Sequence, residues 1–177
     1  MRTMVVDDFF NNFSAFKDEF KKIPRYRADQ HSEVDDNAWR GERSEDLTYS
    51  NKFLASLFIN EFNSKFNNFL PDSYAFKLYT HLYLKKDEKM IIHKDSSHPT
   101  YAAYSMLVYL SDTNLESGTA LYGPTEKDLI TDIKFVQNRA VIYDSNYLHA
   151  AISNYGDNED NGRLTLNTFW FKKKGDR

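Results

Sequence analysis

The chain contains no cysteine, few glycines and no long apolar run. Without cysteine, disulfide bonds, thiolate metal ligands and a thiol nucleophile are excluded together, so any bound metal must be held by nitrogen and oxygen. Only 6 glycines occur in 177 residues, and no glycine-rich loop that could cradle a phosphate is present. No segment approaches the roughly 18 consecutive apolar residues of a membrane-spanning helix, and the N-terminus lacks a signal-peptide pattern. We therefore expect a soluble, intracellular (cytoplasmic) protein.

Aromatic side chains are abundant and make up 16% of the chain, with 14 Phe and 12 Tyr. Charged residues make up 28%, the net charge is −3 and the pI is about 5.9. This acidic balance provides no general attraction to nucleic acid, and the composition indicates neither a membrane protein nor wholesale disorder. The length predicts a single domain, residues 1–177, with a core built largely from aromatic rings.

Apolar periodicity predicts two helices in the N-terminal part of the chain. After a short strand, MVV, phenylalanines recur at helical spacing, and Asp7 or Asp8 could cap this first helix. A second helix is predicted over about 50–69. The polar segment 25–50 between them has no apolar periodicity, and connections of this length are often functional lids or mobile loops. We expect residues 1–73 to be a helical support for the rest of the chain.

From residue 74 onward the pattern changes to short β-branched and aromatic runs separated by turns. About eight strands are predicted, over 74–84, 90–95, 102–112, 118–123, 131–136, 139–144, 146–153 and 163–172. This order predicts a mainly β fold with N-terminal helices: a double-stranded β-helix (jelly roll, cupin-like) core over 74–172, backed by two helices.

Two of these predicted strands alternate between an apolar face and a polar or aromatic face. The members of the second face are Tyr79, His81 and Tyr83 in the first strand and Arg163, Thr165 and Asn167 in the last. If this face is exposed to solvent, it indicates no functional site. If it lies between two sheets, it lines a polar cavity.

Three residues could together hold a metal ion. His93 and Asp95 are two residues apart, so on a strand both side chains would point at one spot. His149 lies in an apolar run, where a histidine more often satisfies a core hydrogen bond than binds a metal. Together the three offer two imidazoles and one carboxylate, the facial triad that leaves open positions on a non-haem Fe(II). Zinc could use the same atoms, so the ligand types alone do not name the metal.

Arg163 opens the last predicted strand and shares a face with polar residues rather than leucines. A guanidinium that faces a cavity needs an anionic partner, because an unpaired buried charge is very costly. Arginine is also suited to bidentate capture of a carboxylate. Arg163 therefore predicts a carboxylate socket beside the metal, which would suit a dicarboxylate co-substrate that chelates the metal through its other end.

The order His93-x-Asp95, His149 and Arg163 on successive strands resembles the Fe(II)/2-oxoglutarate-dependent dioxygenases, and within them the prolyl 4-hydroxylase-like branch. The resemblance extends over roughly residues 74–172. It rests on the segments HLYLKKDEKMIIHKD, MLVYLSD, SGTALYGPTE, NRAVIYDSNYLHAAI and RLTLNTFWF. The stretches MVVDDFF and WRGERS are also similar to small phage oxygenases of this kind.

The resemblance implies that His93, Asp95 and His149 bind Fe(II) and that Arg163 binds the distal carboxylate of 2-oxoglutarate, with O2 as the other co-substrate. These four would be the catalytic residues. It implies further co-substrate or pocket contacts from Tyr109, Tyr83, Thr165 and Asn167. The alternatives for these positions are a packed aromatic ring and an ordinary strand residue. One departure from the family is Met90, which stands where a tyrosine is frequent.

The implied activity is hydroxylation of a C–H bond with release of succinate and CO2. A prolyl or other residue of a peptide is the first expected substrate, a free amino acid or small molecule is the next, and the acidic balance disfavours a nucleobase. A cupin-like protein that binds a metal and a carboxylate without oxidation is the rival from another class. A structural jelly roll, whose polar residues satisfy one another, is the third alternative. The sequence does not fix the oligomeric state.

Overall fold

The computed structural model of the chain describes residues 2–30, 39–66, 69–70, 74–87, 91–97 and 101–173. These residues form three α-helices and nine strands. The helices are α1 (Phe13–Lys21), α2 (Leu47–Ser50) and α3 (Lys52–Lys65). The strands are β1 (Thr3–Val6), β2 (Glu42–Arg43), β3 (Tyr74–Tyr83), β4 (Tyr104–Tyr109), β5 (Asn114–Tyr122), β6 (Leu129–Phe135), β7 (Ala140–Asp144), β8 (Leu148–Ala151) and β9 (Arg163–Lys172).

The strands form two antiparallel sheets. The larger has the order β1-β7-β4-β9-β3-β2 and the smaller the order β6-β5-β8. A cluster of buried rings and aliphatic side chains that includes Tyr109, Phe135 and Tyr143 joins strands of both sheets. Two sheets packed face to face over a shared core are the arrangement of a jelly roll. The predicted mainly β fold with a jelly-roll core is confirmed.

The helices cover the outer face of the six-stranded sheet with aromatic packing. The Phe62 ring of α3 lies 4.5 Å from Trp170 of β9, centroid to centroid, and Phe76 of β3 lies 5.0 Å from the same indole. The leucines of β3 and β9 belong to this outer core. Since side chains alternate along a strand, the polar faces of β3 and β9 must look inward, toward the smaller sheet. The predicted polar cavity can therefore form.

The first helix begins later than the sequence pattern predicts. Asp8 has φ +52°, and α1 starts only at Phe13. The backbone N–H of Phe9 donates to the Asn138 carbonyl, and that of Phe10 donates to the Asn138 side-chain oxygen, both at 2.9 Å. The two rings are at most 1% exposed. The predicted cap at Asp7 or Asp8 is wrong because long-range packing holds this segment in a non-helical conformation.

The second predicted helix is divided in two. Asn51 separates α2 from α3, and its side-chain oxygen accepts the backbone N–H of Leu54 at 3.1 Å. Asp46 caps α2 in the same way, by accepting the N–H of Thr48 at 3.0 Å. Asparagine and aspartate favour such caps because a short polar side chain satisfies an N–H that the first turn leaves free. Within the described residues, no helix is both long and apolar enough to cross a membrane.

The N-terminal part also supplies two strands to the larger sheet. β1 pairs with β7, and β2, which lies within the polar segment 25–50, pairs with β3. Residues 31–38 of that segment lie outside the described residues. The strand predicted over 90–95 does not form in its described part, where His93 makes only an isolated bridge to His149; residue 90 lies outside the described residues. The other seven predicted strands are present, six of them with shifted ends and β9 with the predicted bounds.

Candidate active site

The two histidines are held side by side by backbone pairing. His93 and His149 exchange both backbone hydrogen bonds of an antiparallel bridge, at 3.1 and 2.9 Å. Their ring centroids are 4.3 Å apart. Asp95 follows His93 by two residues, and ligand atoms of all three side chains lie within 4.8 Å of one another. The structure thus brings together the three residues that the sequence proposed as a metal triad.

The same local hydrogen bond orients both imidazole rings. His93 Nδ1 lies 2.9 Å from the carbonyl oxygen of Ile91, and His149 Nδ1 lies 3.2 Å from that of Tyr147. A carbonyl can only accept, so each Nδ1 must carry the proton. In the neutral rings both Nε2 lone pairs then face the Asp95 carboxylate, which leaves three acceptor atoms directed at one point. A shared cation or added protons must satisfy them.

The separations between these acceptors fit a single metal ion. His93 Nε2 lies 3.4 Å from Asp95 Oδ1, and His149 Nε2 lies 3.2 Å from Oδ2. Neighbouring donors around an octahedral ion with bonds of about 2.1 Å are about 3.0 Å apart. The donor set contains two nitrogens and one carboxylate, as non-haem Fe(II) sites do, so the residues present fit such an ion.

Asp95 is buried, and its charge is strongly supported. Burial disfavours the carboxylate, but the charges and hydrogen bonds of His149 and His93 outweigh burial and hold the pKa of Asp95 well below its usual value. Burial likewise opposes a charge on His93, yet the hydrogen bond and charge of Asp95 leave the pKa of His93 raised. Ser105 donates to Asp95 Oδ2 at 2.7 Å, and its oxygen lies 2.8 Å from Ser145 Oγ.

The triad opens into a cavity of about 900 Å³ between the two sheets. Arg163, Tyr83 and Asn167, all proposed from the sequence, line this cavity. Its volume lies in the upper part of the range typical of small-molecule sites, about 300–1,000 Å³. It can therefore accommodate a small dicarboxylate together with part of a second substrate.

Arg163 is buried in the cavity wall and only partly hydrogen-bonded. It is 3% exposed, and its Nη2 donates to the Gly118 carbonyl at 3.3 Å. Its Nε is buried with no hydrogen-bond partner among the described residues. The guanidinium carbon lies 5.7 Å from the centre of the Tyr83 ring and 5.5 Å from that of Phe135. A buried guanidinium with unused donors is suited to a carboxylate ligand.

Two of the predicted contact residues lie behind the cavity wall. The Tyr109 hydroxyl donates to Thr119 Oγ1 at 2.9 Å, and it is Thr119 that lines the cavity. Burial raises the pKa of Tyr109, so its hydroxyl keeps its proton. Thr165 is fully buried and donates to Asn167 Oδ1 at 2.7 Å. Tyr109 and Thr165 can therefore position Thr119 and Asn167, the side chains that face the cavity.

Sequence reasoning missed several residues of the site. Ser105 carries a detectable signal, because it is a small polar residue within an otherwise apolar and aromatic strand. Tyr143 is buried with its ring 5.0 Å from that of His149, and burial raises its pKa well above the usual value. Arg43, from the polar segment, enters the same cavity with its guanidinium carbon 3.9 Å from the centre of the Trp39 ring. Neither Tyr143 nor Arg43 belongs to a pattern that distinguishes it in the sequence.

Comparison by sequence gives little information about activity. Residues 128–170 match a family of unknown function, DUF6445. No curated protein matches the chain.

Comparison by structure places the fold among known oxygenases. The chain is similar to a 2OG-Fe(II) oxygenase family oxidoreductase from Burkholderia pseudomallei, with TM-score 0.64, 12% identity and coverage of 95% of this chain and 83% of that one. It is similar to the viral collagen prolyl hydroxylase of Paramecium Bursaria Chlorella virus-1 in its 2OG complex, with TM-score 0.64, 14% identity and coverages of 98% and 97%.

A third similar structure is a prolyl hydroxylase from Trichoplax adhaerens in complex with a peptide fragment of a hypoxia inducible factor oxygen degradation domain. It has TM-score 0.61 and 16% identity, and the match covers 96% of this chain and 83% of that one. At these identities the similarity establishes the fold. The resemblance to 2-oxoglutarate oxygenases stated from the sequence is confirmed at that level, and the chain has their jelly-roll fold.

Proposed function

We propose that this chain is an Fe(II)- and 2-oxoglutarate-dependent oxygenase that hydroxylates a C–H bond and releases succinate and CO2. The observation that carries the proposal is the convergence of three acceptor atoms, from His93, Asp95 and His149, with both histidine tautomers fixed by backbone carbonyls. Only a cation or added protons can satisfy such a cluster. The fold, shared with proteins described as 2OG-Fe(II) oxygenases, supports Fe(II) as that cation.

Arg163 would hold the distal carboxylate of 2-oxoglutarate. It lines the same cavity as the triad, and its guanidinium has donors that no described residue uses. The Tyr83 ring beside it restricts the approach, and Thr119, held by Tyr109, adds a hydroxyl to the wall. When bound, iron and 2-oxoglutarate would supply the oxidising chemistry with O2. The protein would bind and orient the reactants and keep bulk water out.

The chain would work as a single domain, residues 1–177. Residues 74–172 would form the catalytic core, and residues 1–73 would support it. The support includes aromatic packing on the outer sheet face, for example Phe62 against Trp170. Residues 25–50 would border the site, since β2 within this segment lies at the edge of the sheet whose inner face carries the cavity.

A residue of a peptide, prolyl first, is the proposed substrate class, because the fold is similar to prolyl hydroxylases and one of these is in complex with a peptide. A free amino acid or another small molecule is the second candidate, and the cavity volume of about 900 Å³ would accept one beside the co-substrate. A nucleobase remains the weaker alternative.

The test is anaerobic addition of Fe(II) and 2-oxoglutarate, followed by exposure to air. We expect a weak visible absorption band, and then succinate formation that a substrate stimulates. A binding protein without oxidation would give the band but no succinate, and a structural jelly roll would give neither. Asp95→Ala should abolish the band. Asp157→Ala, in an exposed loop, is the matched control and should retain it.

A further inference from the structure

Arg43 forms a second guanidinium site in the cavity, separate from Arg163. Its guanidinium carbon lies 3.9 Å from the centre of the Trp39 ring and 4.5 Å from that of Tyr79. All three side chains line the cavity. Its Nε is buried and has no hydrogen-bond partner in the part of the chain that the structure describes. The charge is thus held by stacking, while donors at the edge of the guanidinium remain available to a ligand.

The position of Arg43 follows from strand pairing. Arg43 lies opposite His81 on one side of β3, and Arg163 lies opposite Tyr83 on the other side. The two guanidinium groups lie near the rings of Tyr79 and Tyr83, which are four residues and so about 13 Å apart along the strand. They therefore occupy different parts of the cavity. Asp46 and Asp95 act on the charge of Arg43 from a distance, and among the described residues no carboxylate pairs with it, so one carboxylate at Arg163 leaves Arg43 without a bound anion.

The charges around the cavity are strongly unbalanced. Among the described residues that line it, Asp95 is the single carboxylate, and the cationic side chains include Arg43, Lys77, Lys94 and Arg163. The whole chain carries a net charge of −3, so this local excess does not reflect composition. A divalent metal and a dicarboxylate cancel one another, and the cationic excess would still favour an anionic second ligand.

We propose that the primary substrate carries a carboxylate, and that Arg43, packed against the rings of Trp39 and Tyr79, binds it edge-on. This inference rests on the proposed function and specifies its substrate class. Both rings pack within 4.5 Å of the central carbon of the guanidinium, and the parallel N–H groups at its edge match the two oxygens of a planar carboxylate. The carboxylate can be the α-carboxylate of a free amino acid or an acidic group of a peptide.

The His81 ring helps to fix this second site. It stacks on Tyr83 with centroids 4.4 Å apart, and its Nε2 lies 2.6 Å from the Arg40 carbonyl oxygen. The second contact ties the segment that carries Trp39 and Arg43 to β3. The rings of Trp39 and Tyr79 are therefore held against the Arg43 guanidinium before any ligand arrives, which reduces the ordering cost of binding.

Calorimetry with defined probes tests the proposal. The probes are L-amino acids and their amides, and short peptides with acidic residues or with the corresponding amide residues, all added with 2-oxoglutarate in excess to occupy Arg163. We expect one acid to bind the wild-type protein at least about 10-fold more tightly than its matched amide, as charge-assisted hydrogen bonds predict. The free amino acid and the peptide arms identify the source of the carboxylate.

Variants separate a specific contact from general attraction. Arg43→Gln should remove the preference for acid over amide. Arg43→Lys should retain only part of this preference, because lysine lacks the bidentate edge of the guanidinium. Lys77→Gln is the matched control: it removes one cationic side chain of the cavity but leaves Arg43, Trp39 and Tyr79 in place, and it should keep most of the preference. Thermal unfolding of each variant checks that it folds.

Three results with the wild-type protein would overturn the inference: equal binding of acids and amides, binding only of inorganic phosphate or a nucleoside monophosphate, or no binding of any carboxylate probe at millimolar concentration. An unchanged acid preference in Arg43→Gln would overturn it as well. Failure of the proposed function looks different. If the proposed function is wrong, Fe(II) and 2-oxoglutarate give no visible band. If only the inference is wrong, the band and succinate appear but the preference for acids over amides does not.

Discussion

The hydroxyl of Ser105 donates to Asp95 Oδ2 at 2.7 Å, so one oxygen of the triad carboxylate is already hydrogen-bonded within the protein. Ser105 Oγ lies in turn 2.8 Å from Ser145 Oγ, which ties the carboxylate to β4 and to the turn after β7. This contact fixes the orientation of Asp95 and directs Oδ1 toward His93. Partners of this kind orient metal ligands and tune their affinity.

The Ser105–Asp95 contact predicts the effect of Ser105→Ala. Loss of the hydroxyl should weaken metal binding by about 10-fold or more, because the carboxylate loses the contact that orients it. The measurement is an anaerobic Fe(II) titration of the variant and the wild type. Ser56→Ala, which removes an exposed helix hydroxyl, is the control and should bind as the wild type does. Equal affinity in Ser105→Ala would show that the contact is not needed.

Replacement of Arg163 should affect the co-substrate selectively. Arg163→Gln should raise the KM for 2-oxoglutarate about 10- to 100-fold, and Arg163→Lys should raise it less, because lysine keeps the charge but not the bidentate geometry. Succinate formation at varied 2-oxoglutarate measures this. Arg139→Gln, which breaks the exposed pair with Asp7, should leave the KM unchanged. An unaltered KM in Arg163→Gln would rule out Arg163 as the carboxylate socket.

His81 should make the stability of the protein depend on acid pH. Burial lowers the pKa of His81 from the usual 6.5 to about 3. Between these values the unfolded chain binds a proton that the folded protein does not, so the free energy of unfolding rises with pH there. The contribution of the neutral His81 ring to the free energy of unfolding is fully present above pH 6.5. It is lost as pH falls toward about 3, by about 1.4 kcal/mol per pH unit.

Urea unfolding across this pH window tests the role of His81. In His81→Gln an amide N–H can replace the ring N–H toward the Arg40 carbonyl, and no titrating group remains at the position. The slope of stability against pH should therefore be shallower in the variant than in the wild type. Parallel slopes for the two proteins would show that His81 does not titrate differently in the folded and unfolded states.

Gly118 connects the fold directly to Arg163, the proposed co-substrate socket. It has φ +150°, a Cβ added there would collide with the Ile133 carbonyl, and its own carbonyl accepts from Arg163. Gly118→Ala should lower the free energy of unfolding by about 1–3 kcal/mol and also weaken 2-oxoglutarate binding, because the strand must shift. Gly123→Ala is the control, since a Cβ added at Gly123 would have the Asp128 side chain, at 3.2 Å, as its nearest neighbour. Equal stability of both variants would contradict this reasoning.

The strands that carry the site could be predicted because their side chains alternate. Apolar and polar residues alternate along β3 and β9, and these strands pair along their full length from Tyr74 opposite Lys172 to Tyr83 opposite Arg163. The triad could be predicted from ligand types and their order. The carboxylate role of Arg163 is a prediction from its polar neighbours, and Arg163 is buried in the cavity wall, where such a role requires it.

Other features depend on contacts that no local pattern contains. Phe9 and Phe10 follow helical spacing, but Asn138, distant in sequence, binds their backbone N–H groups and delays the helix. Arg43 lies in a strand of two residues, too short to show alternation, and its place in the cavity follows only from pairing with His81. Long-range hydrogen bonds of this kind override local propensity.

A structure of the protein with Fe(II) bound under anaerobic conditions tests the central claim most directly. We predict one ion within about 2.0–2.2 Å of His93 Nε2, His149 Nε2 and one oxygen of Asp95, with the remaining positions open to exogenous ligands. An ion bound elsewhere would contradict it. So would a site that takes up no Fe(II) and in which protonated imidazoles of His93 and His149 stay hydrogen-bonded to Asp95.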